Sequence, residues 1–479
     1  MRYNNSIMQY YVLSEVLMKQ SIESFFASIR GKRIALIGMG RSHMPLIPLF
    51  TKYGAAVVAC DKRDRTALGD AADQAERDGA VLSLGEHYLD DLDVDIALRT
   101  PGMRFWCDEL NALRERGVTI TSEMEIFFDI CPCRIFAVTG SDGKTTTTTV
   151  ISEMLKEEGY TVHLGGNIGK PLLPEIESIS PDDIAVVELS SFQLISMTQS
   201  PDVAVVTNLQ PNHLDIHKDM EEYIEAKKNI ILYQNKKNKA VLNYDNEITR
   251  FFEEDCQGEV VFFSRRKKLH NGAYLDGDMI VYNERGMLFD VLDIRDIRIP
   301  GMHNVENYMT AICAVWGVVS LKTIRKVAQE FAGVEHRAEF VRELDGVRYY
   351  NDSIASSPTR TASGTLSLYD FKIILIAGGY DKHLDYTDLG TVICNKVKTA
   401  ILMGATADKI EEAIRKSPAY RDGEPKIIRV ANMDEAVEAA HANAVSGDIV
   451  SMSPASASFD LYKDFDARGK HFKALVNAL

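Results

Sequence analysis

Short apolar runs alternate with longer amphipathic stretches along most of the chain. In the first part, the apolar runs have the length of β-strands: RIALIG from Arg33, AAVVAC from Ala55 and VDIALRT from Val94. The stretches between these runs have a helical pattern. Strands that alternate with helices are typical of a parallel sheet covered by helices. The pattern therefore predicts an α/β fold.

Breaks in this pattern divide the chain into parts. A new apolar run, Arg134 to Val138, follows the segment Cys131-Pro132-Cys133, and further runs continue to about Gly333. A third series of short apolar runs follows His336. At about 150 residues per domain, a length of 479 residues also suggests three domains. We predict them at residues 31–131, 132–334 and 335–479, after an N-terminal extension (1–30) in which an amphipathic helix is expected between Ile7 and Met18.

Composition and charge narrow the possible functions. A hydrophobic content of 46% and a charged content of 26% are ordinary for a globular protein. The formal net charge of -15 argues against binding nucleic acid or an anionic membrane by bulk electrostatics. No segment has the ~18 apolar residues that span a bilayer. The seven cysteines are scattered without CxxC pairs, which favours free thiols in a reducing compartment such as the cytoplasm.

The segment TGSDGKTT, from Thr139 to Thr146, is the most specific local signal. It lies between the strand that ends at Val138 and a helix predicted over Thr147 to Glu158. Glycines allow backbone N–H groups to point at phosphate oxygens, and a helix N-terminus adds a positive partial charge. In this arrangement Lys144 reaches the β- and γ-phosphates of a nucleotide and Thr145 ligates Mg²⁺. A glycine-rich turn with one exposed lysine is the plain alternative.

Candidate metal ligands follow the neighbouring strands. Glu188 ends the apolar run from Ile184, where a carboxylate can meet an ion held at the phosphate loop. A surface acid is the alternative. Beyond the next strand, Asn208, His213 and Asp215 are candidates for a second ion or for orienting phosphate, although a lone histidine there would more often be an ordinary loop residue.

Lys227 occupies an unusual position for a lysine. After Asp219, one helical stripe carries the apolar residues Met220, Tyr223, Ile224, Ile230 and Ile231. Lys227 falls within this stripe, whereas Lys228 points away from it. Lys227 either extends its charged end to solvent or is held neutral by burial and reacts with CO₂. The resulting carbamate would be an anionic oxygen ligand for a second Mg²⁺.

The chain resembles the Mur ligase family over roughly Gly31 to Leu479. The resemblance rests on motifs that occur in order: TGSDGKTT at Thr139, GGNIGKP at Gly165, ELSSFQL at Glu188, TNLQPNHLD at Thr207, YIEAKKNI at Tyr223, GMHNVEN at Gly301, EHRAEF at Glu335, NDSIASSPT at Asn351, GGYDKHLDY at Gly378 and SPASASFDLYKDFDARG at Ser453. It implies a Rossmann-like N-terminal domain, a central P-loop ATPase-like domain and a C-terminal Rossmann-like domain.

The activity that the resemblance implies is an ATP- and Mg²⁺-dependent ligation. In it, D-glutamate is joined to UDP-N-acetylmuramoyl-L-alanine through an acyl phosphate. This is a cytoplasmic step of peptidoglycan synthesis, on which cell-wall biogenesis, cell shape and cell division depend, and we expect a monomer to carry it out. The residues themselves do not distinguish D- from L-glutamate.

The resemblance also implies roles for individual residues. Catalysis is assigned to Lys144, Glu188, His213 and Lys227. The metal ligands are Thr145, Glu188, His213 and carbamylated Lys227. ATP is bound by Gly140, Ser141, Asp142, Gly143, Lys144, Thr145, Thr146, Asn304, Asn307, Arg337 and Asp352. The UDP-linked substrate is bound by Gly40, Arg41, Ser42, Asp61, Arg63, Asn167, Ser190 and Gln193. Glutamate is bound by Ser356, Lys382, Ser458, Phe459 and Phe465.

The glutamate pocket departs from the family pattern. In NDSIAS, Ile354 replaces the lysine that many relatives carry and Ser356 replaces a threonine, so one pocket cation is missing. We hypothesise that Arg360 supplies this charge; a solvated arginine is the alternative. Ser458 precedes a helical run that we predict from Phe459, so its hydroxyl and the following N–H groups are candidates for binding a carboxylate. A plain helix cap is compatible with the same pattern.

The first domain allows two interpretations. Gly38-Met39-Gly40 follows a strand and Asp61 ends the next one, as in a dinucleotide site. His43, however, occupies the third glycine position of that fingerprint. We favour the UDP site that the resemblance implies over an NAD site.

Two other function classes stay open at this point. A sister ligase that adds another amino acid, or a folate-type polyglutamate ligase, would keep the phosphate loop and change the last domain. The other class is a non-catalytic nucleotide-binding partner of a larger complex, against which the many intact catalytic positions argue.

Overall fold

The computed structural model of the protein describes residues 20–90, 92–211 and 216–479. The predicted helix between Ile7 and Met18 and the candidate ligands His213 and Asp215 lie outside these residues. The chain forms two compact units: the first contains residues up to 274 with 282–288 and 310–320, and the second contains 275–281, 289–309 and 321–479. The α/β fold class is confirmed. The division into three domains stays a prediction.

The first sheet follows the apolar runs predicted at the start of the chain. Its strands are β1 Arg33–Ile37, β2 Ala56–Asp61, β3 Val81–Leu84, β4 Ile96–Arg99 and β5 Thr119–Thr121. They are parallel and lie in the order β3-β2-β1-β4-β5. The helices are α1 Ile22–Ile29, α2 Leu46–Lys52, α3 Arg65–Leu68, α4 Asp70–Arg77, α5 Asp108–Glu115 and α6 Glu123–Ile130. Because β1 pairs with β2 and β4, the carboxyl ends of these three strands meet at one edge.

The second sheet carries the phosphate loop. Its strands are β6 Arg134–Thr139, β7 Val162–Gly166, β8 Ile184–Glu188, β9 Val203–Val206, β10 Lys239–Asn243, β11 Glu259–Ser264, β12 Asn271–Asp276, β13 Met279–Glu284 and β14 Met287–Asp293. They lie in the order β14-β13-β12-β11-β10-β9-β6-β8-β7. Strand β6 is parallel to both β8 and β9, and apart from Arg134 all residues of the three strands are buried. Such continuous apolar runs are typical of parallel strands covered on both faces.

The first α-helix in this part of the chain follows the phosphate loop directly. The α-helices are α7 Lys144–Glu158, α8 Ser191–Leu194, α9 Met220–Leu232, α10 Glu247–Phe251, α11 Met302–Val315 and α12 Leu321–Glu330. Short 3₁₀ helices cover Leu173–Ser178, Phe252–Asp255 and Ile294–Asp296. Helix α7 begins three residues before the predicted start, because Gly143 adopts a left-handed conformation (φ 78°) and turns the chain directly into the helix.

The third sheet lies in the second unit. Its strands are β15 Glu339–Leu344, β16 Val347–Asn351, β17 Ile373–Ala377, β18 Val397–Leu402, β19 Lys426–Arg429 and β20 Ile449–Met452, in the order β15-β16-β20-β17-β18-β19. Strand β15 is antiparallel to β16, and the other pairs are parallel. The helices are α13 Thr387–Lys396, α14 Ala407–Lys416, α15 Met433–Asn443 and α16 Phe465–Ala478, with a π-helix at Arg360–Thr365 and a 3₁₀ turn at Leu366–Leu368.

The predicted start of the last helix, at Phe459, is wrong. Residues 459–464 form turns and bends, and α16 begins only at Phe465, where the Asp464 side chain accepts the Ala467 N–H at 2.8 Å. Ser458 is therefore not the N-cap of this helix. Asp464 takes that role because its carboxylate satisfies an N–H group of the first turn. Among the described residues, no helix is long and apolar enough to cross a bilayer.

Candidate active site

The phosphate loop, residues 140–143, joins the end of β6 to the start of α7. Gly140 has a φ of 146°, and a Cβ atom there would lie 1.9 Å from the hydroxyl oxygen of Thr207. That hydroxyl donates to the Asp142 carbonyl at 2.6 Å, and the Asp142 N–H donates to Oδ1 of Asn208 at 3.0 Å. The residues that follow β9 thus hold the loop in shape, and only glycine fits at its first position.

The Lys144 side chain folds back over this loop. Its Nζ donates to the carbonyl oxygens of Gly140, at 3.0 Å, and Ser141, at 2.9 Å. The ammonium charge is therefore held at the N-terminus of α7, a helix of 15 residues whose own partial charge is positive at this end. Both charges favour an anion at the loop, as the sequence predicts.

Glu188, at the end of β8, pairs with two neighbours at this edge of the second sheet. One carboxylate oxygen accepts the Thr145 hydroxyl at 2.7 Å, and the other accepts the Asn167 amide at 2.7 Å. The parallel pairing of β6 with β8 brings Thr145 and Glu188 together, although Glu188 follows Thr145 by 43 positions in the sequence. A hydroxyl and a carboxylate side by side are the hard oxygen donors that Mg²⁺ prefers, so these residues fit that ion.

Lys227 is buried below the phosphate loop, with 2% of its surface exposed. Its Nζ donates to the Thr139 hydroxyl at 3.0 Å and to the Gly140 carbonyl at 2.9 Å. Burial lowers the pKa of Lys227 well below its ordinary value; the charge of Lys144 lowers it further, and Glu188 opposes the shift. The burial predicted from the helical stripe is confirmed, and the side chain does not extend to solvent.

Other predicted residues of the second sheet shape the site. Ser190 and Gln193 form a reciprocal capping box at the start of α8. The Ser141 hydroxyl lies 2.9 Å from the Tyr223 hydroxyl and 2.9 Å from the Gln210 carbonyl. Tyr223 thus ties α9 to the phosphate loop. The sequence shows Tyr223 only as an apolar stripe residue, and the contact depends on a hydroxyl from another element.

The predicted residues of the first domain, Gly40, Arg41, Ser42, Asp61 and Arg63, lie at the carboxyl edge of the first sheet. Asp61 accepts the Met39 N–H at 2.8 Å and pairs with Arg63 at 2.8 Å. The bonds from Arg63 lower the pKa of Asp61 to about 2. Arg41 donates to the carbonyl oxygen of Gly169 at 3.2 Å. Gly169 follows Asn167 closely in the sequence. The turn at Gly38–Ser42 is therefore tied to β2 on one side and approaches the Gly165–Lys170 loop on the other.

His43 has a structural position within this turn. Its Nδ1 lies 3.0 Å from the Gly38 carbonyl oxygen, and burial lowers its pKa to about 4. The side chain is neutral at physiological pH and fills the space beneath the turn. An imidazole there differs from the close helix–strand packing that a glycine gives in a dinucleotide site.

In the second unit, two predicted pairs of ATP ligands come together. The Asn307 amide donates to the Asn304 side chain at 3.0 Å, and both residues are buried. Asp352 accepts the Ala338 N–H at 3.2 Å and hydroxyl protons from Thr365 and Ser453. Burial raises the pKa of Asp352 to about 6, whereas these bonds and the charge of Arg337 act in the opposite direction. The EHRAEF and NDSIAS motifs therefore meet at Asp352.

The predicted glutamate residues are brought together in part. Lys382 lies 6.0 Å from the centre of the Phe459 ring, and both side chains are exposed. Ser458 is buried, and its carbonyl accepts the N–H groups of Leu461 and Tyr462. Phe465 packs edge-on against His336 at 5.9 Å. Ser356 is half-buried and donates its backbone N–H to the Ile354 carbonyl at 2.8 Å. Arg360 donates to the same carbonyl at 3.4 Å.

Two buried arginines were not predicted as site residues. Arg99, at the end of β4, donates to the Phe192 carbonyl at 2.6 Å and to the Ser196 hydroxyl at 2.9 Å. Arg468 donates to carbonyl oxygens of Ser353, Ser456 and Ala457 at 2.9 to 3.1 Å. Each ties segments that are distant in sequence. Arg99 is an arginine at the end of an apolar run, which is too common a signal to identify such a role, whereas Arg468 lies within the motif that begins at Ser453.

Comparisons with known proteins agree with this geometry. The Mur ligase middle domain matches residues 138–315, and the Mur ligase, glutamate ligase domain, matches residues 336–456. The chain is 51% identical over 465 residues to a UDP-N-acetylmuramoylalanine–D-glutamate ligase from Acetivibrio thermocellus, covering 96% of this chain and 100% of the relative. It is 50% identical over 467 residues to the protein of the same name from Clostridium acetobutylicum, with the same coverage.

Solved structures support the fold. A UDP-N-acetylmuramate-alanine ligase from Thermotoga maritima aligns with a TM-score of 0.56 at 17% identity, covering 93% of this chain and 99% of the other. A UDP-N-acetylmuramoyl-L-alanyl-D-glutamate–2,6-diaminopimelate ligase aligns with a TM-score of 0.55 at 17% identity, covering 89% and 92%. At this identity the likeness concerns the fold alone.

Proposed function

Because this chain belongs to the Mur ligase family, we propose that it joins D-glutamate to UDP-N-acetylmuramoyl-L-alanine at the expense of ATP, a step of peptidoglycan synthesis. Members of this family are ATP-dependent ligases. Two observations together carry the proposal. The chain matches relatives named UDP-N-acetylmuramoylalanine–D-glutamate ligase over nearly their full length. In the structure, Lys144 contacts the phosphate loop, and Thr145 contacts Glu188.

At the phosphate loop, this chain's own residues bind and orient ATP. The backbone N–H groups at the N-terminus of α7 and the Lys144 ammonium bind phosphate oxygens, and the positive φ angles of Gly140 and Gly143 make this close approach possible. Thr145 and Glu188 would hold Mg²⁺, which neutralises charge on the transferring phosphate. Asn167 keeps the Glu188 carboxylate oriented through its 2.7 Å bond.

The reaction proceeds in two steps. An oxygen of the alanyl carboxylate attacks the γ-phosphorus of ATP, and ADP leaves, which gives an acyl phosphate. The amine of D-glutamate then attacks the acyl carbon and loses a proton, and inorganic phosphate leaves. The chain contributes positioning and charge stabilisation, and it must exclude water, which would hydrolyse the acyl phosphate.

Lys227 is the proposed site of carbamylation. The neutral amine adds to CO₂ and releases a proton, and the lowered pKa of Lys227 makes the neutral form available. The carbamate and His213 are the proposed ligands of a second Mg²⁺. The buried position of Lys227 beside Thr139 and Gly140 supports this assignment.

The remaining residues are assigned by substrate. We assign the UDP-linked substrate to Gly40, Arg41, Ser42, Asp61, Arg63, Asn167, Ser190 and Gln193. We assign the nucleotide side of ATP to Asn304, Asn307, Arg337 and Asp352, and glutamate to Ser356, Lys382, Ser458, Phe459 and Phe465. The division at residues 131 and 334, a monomeric state and a cytoplasmic location belong to the same proposal. Among the described residues the cysteines form no disulfide, which is compatible with a reducing compartment.

The test is phosphate release with UDP-N-acetylmuramoyl-L-alanine, ATP and Mg²⁺ against a panel of D- and L-amino acids. We expect release that depends on D-glutamate and a product whose mass equals both substrates minus water. Release that depends on another amino acid would identify a sister ligase. Turnover with a folate substrate in place of the UDP-linked one would identify a polyglutamate ligase, and no turnover with any set would contradict an enzymatic role.

A further inference from the structure

A cavity of about 600 Å³ lies between elements of the first and second sheets within the first unit. Met103 to Trp106, which follow β4, form one wall, and Phe192 of α8 and His217 belong to the other. Strand β4 neighbours β1, which leads into the proposed UDP residues. Phe192 follows the metal candidate Glu188 by four positions. The cavity is therefore bounded by the elements to which both ends of the proposed UDP-linked substrate are assigned.

The walls of this cavity are aromatic. The ring centres of Phe105 and Trp106 lie 4.6 Å apart, and the Arg114 guanidinium lies 4.3 Å and 5.1 Å from the two rings. On the other side, the rings of Phe192 and His217 are stacked at 5.0 Å. Trp106 is 63% exposed although Arg114 holds it in position. A large aromatic ring that is fixed and yet exposed at a cavity is typical of a contact surface for a ligand.

Charge in the cavity favours an anionic, polar ligand. Arg99, Arg104 and Lys218 line it, against one acid, Glu222, in a chain whose net charge is -15. Arg99 is 1% exposed, and its Nε has no hydrogen-bond partner among the described residues. Buried donors are normally satisfied, so a polar group from a ligand or from water is expected beside it.

We infer that this cavity receives the sugar of the UDP-linked substrate and that Trp106 is the residue on which the sugar ring stacks. The inference rests on the proposed function. The electron-rich face of an indole ring attracts the C–H groups of a sugar ring. The surrounding cations complement the carboxylate and phosphates that the substrate carries on either side of this sugar. Trp106 is thus a positioning residue, which fixes the middle of a substrate whose two ends are bound elsewhere.

Tryptophan fluorescence provides a direct test. The chain has two tryptophans, Trp106 and Trp316, and Trp316 stacks on Tyr282 at 3.8 Å. Trp316→Phe keeps an aromatic stack and leaves Trp106 as the single reporter. We expect its emission to change on titration with UDP-N-acetylmuramoyl-L-alanine and to stay constant with UDP or ATP. An equal change with UDP alone would place the nucleotide in the cavity and overturn the inference, as would binding seen by calorimetry without any change in emission. Absence of calorimetric binding would overturn the proposed function and the inference with it.

Kinetics provide the second test. Trp106→Ala should raise the KM for the UDP-linked substrate roughly tenfold, the size expected for one aromatic contact, and leave the KM values for ATP and D-glutamate unchanged. Trp106→Phe should restore most of the loss. The matched control is Phe251→Ala, an aromatic residue that is 56% exposed, with the Arg250 guanidinium 5.9 Å from its ring; it should match wild type. A Trp106→Ala enzyme with an unchanged KM for the UDP-linked substrate would overturn the assignment of Trp106.

Discussion

Lys144 and Lys227 donate to the same carbonyl oxygen, that of Gly140, at 3.0 Å and 2.9 Å. Two ammonium groups beside one carbonyl oxygen repel one another, so one of them is favoured in the neutral form. Burial and the charge of Lys144 together lower the pKa of Lys227. This difference supports the proposed division of roles, in which Lys144 supplies positive charge to phosphate and Lys227 supplies a reactive amine.

We predict that Lys144→Ala lowers ligase activity by at least ~10³-fold, because a preorganised cation at a transferring phosphate typically contributes on that order. Folding should survive, which circular dichroism can check. The control is Lys156→Ala on the same helix, where an exposed lysine pairs with Glu153 at 2.8 Å. A folded Lys144→Ala enzyme within tenfold of wild type would mean that phosphate is bound elsewhere.

We predict that Lys227 is carbamylated in the active enzyme. Lys227→Ala should be nearly inactive and partly restored by a small carboxylic acid, because its carboxylate can occupy the vacated oxygen positions. Lys228→Ala, which loses ion pairs to Asp255 at 2.6 Å and Glu225 at 4.0 Å and a contact with the Phe252 ring, should stay active. The direct measurement is ¹³C NMR of protein equilibrated with labelled bicarbonate, and a spectrum without a carbamate signal in active enzyme would contradict the assignment.

At the scale of elements, the sequence predicts buried strands better than helix ends. Strands β6, β8 and β9 are continuous apolar runs, and such runs have few other uses in an α/β protein. Helix starts depend on a single backbone conformation or cap. Gly143 starts α7 earlier than the apolar pattern indicates, and Asp464 starts α16 later. These choices depend on contacts of neighbouring segments, which the periodicity of one segment does not contain.

Helix α6 carries three carboxyl groups in unusual surroundings. Glu123 accepts the Leu173 N–H at 2.9 Å, and burial raises its pKa to about 7. Burial also raises the pKa of Glu125 to about 7, with Arg99 opposing, and that of Asp129 to about 6. The folded chain therefore keeps these protons at pH values where the unfolded chain has lost them.

We predict that stability falls as pH rises from about 4.5 to about 7, by up to ~1.4 kcal/mol per pH unit for each such group. The folded state binds the proton more tightly, so stability is highest below the ordinary carboxyl pKa and decreases up to the raised one. Glu123→Gln removes one of these groups. In urea unfolding, its stability relative to wild type should be greater at pH 7.5 than at pH 5. Glu115→Gln, at an exposed position, is the control; an equal difference at both pH values for Glu123→Gln would contradict this origin.

At the scale of the whole molecule, the candidate site is made of residues that are distant in sequence. The sequence predicts Lys144, Thr145 and Glu188 as site residues because each lies at the end of a recognisable strand or the start of a recognisable helix. The parallel pairing of β6 with β8 then places the three residues at one edge of the second sheet. It does not predict Arg99 or Tyr223 as site residues, since their roles come from contacts with α8 and with the phosphate loop. The proposed assignment separates the two units: the first binds UDP and phosphate, and the second selects the amino acid.

The proposed selection of glutamate by the second unit leads to a prediction about Arg360. The pocket lacks a lysine at Ile354, and the Arg360 guanidinium already lies 3.4 Å from the Ile354 carbonyl oxygen. We predict that Arg360→Ala raises the KM for D-glutamate by about 1–3 kcal/mol in free-energy terms, the size of a charge-assisted hydrogen bond, and leaves the KM for ATP unchanged. Steady-state kinetics with each substrate varied in turn provide the measurement.

The control for Arg360 is Arg421→Ala in the same unit. Arg421 is also exposed and also donates to nearby backbone carbonyls, those of Pro418 and Tyr420, but it belongs to no proposed pocket, so the KM for D-glutamate should not change. If Arg360→Ala behaves like this control, Arg360 is an ordinary solvated side chain, because removing a pocket cation must weaken binding of a dicarboxylate. Ile354→Lys, which restores the family's cation, would then lower the KM for D-glutamate, and Lys382 would be the one cation among the residues assigned to glutamate.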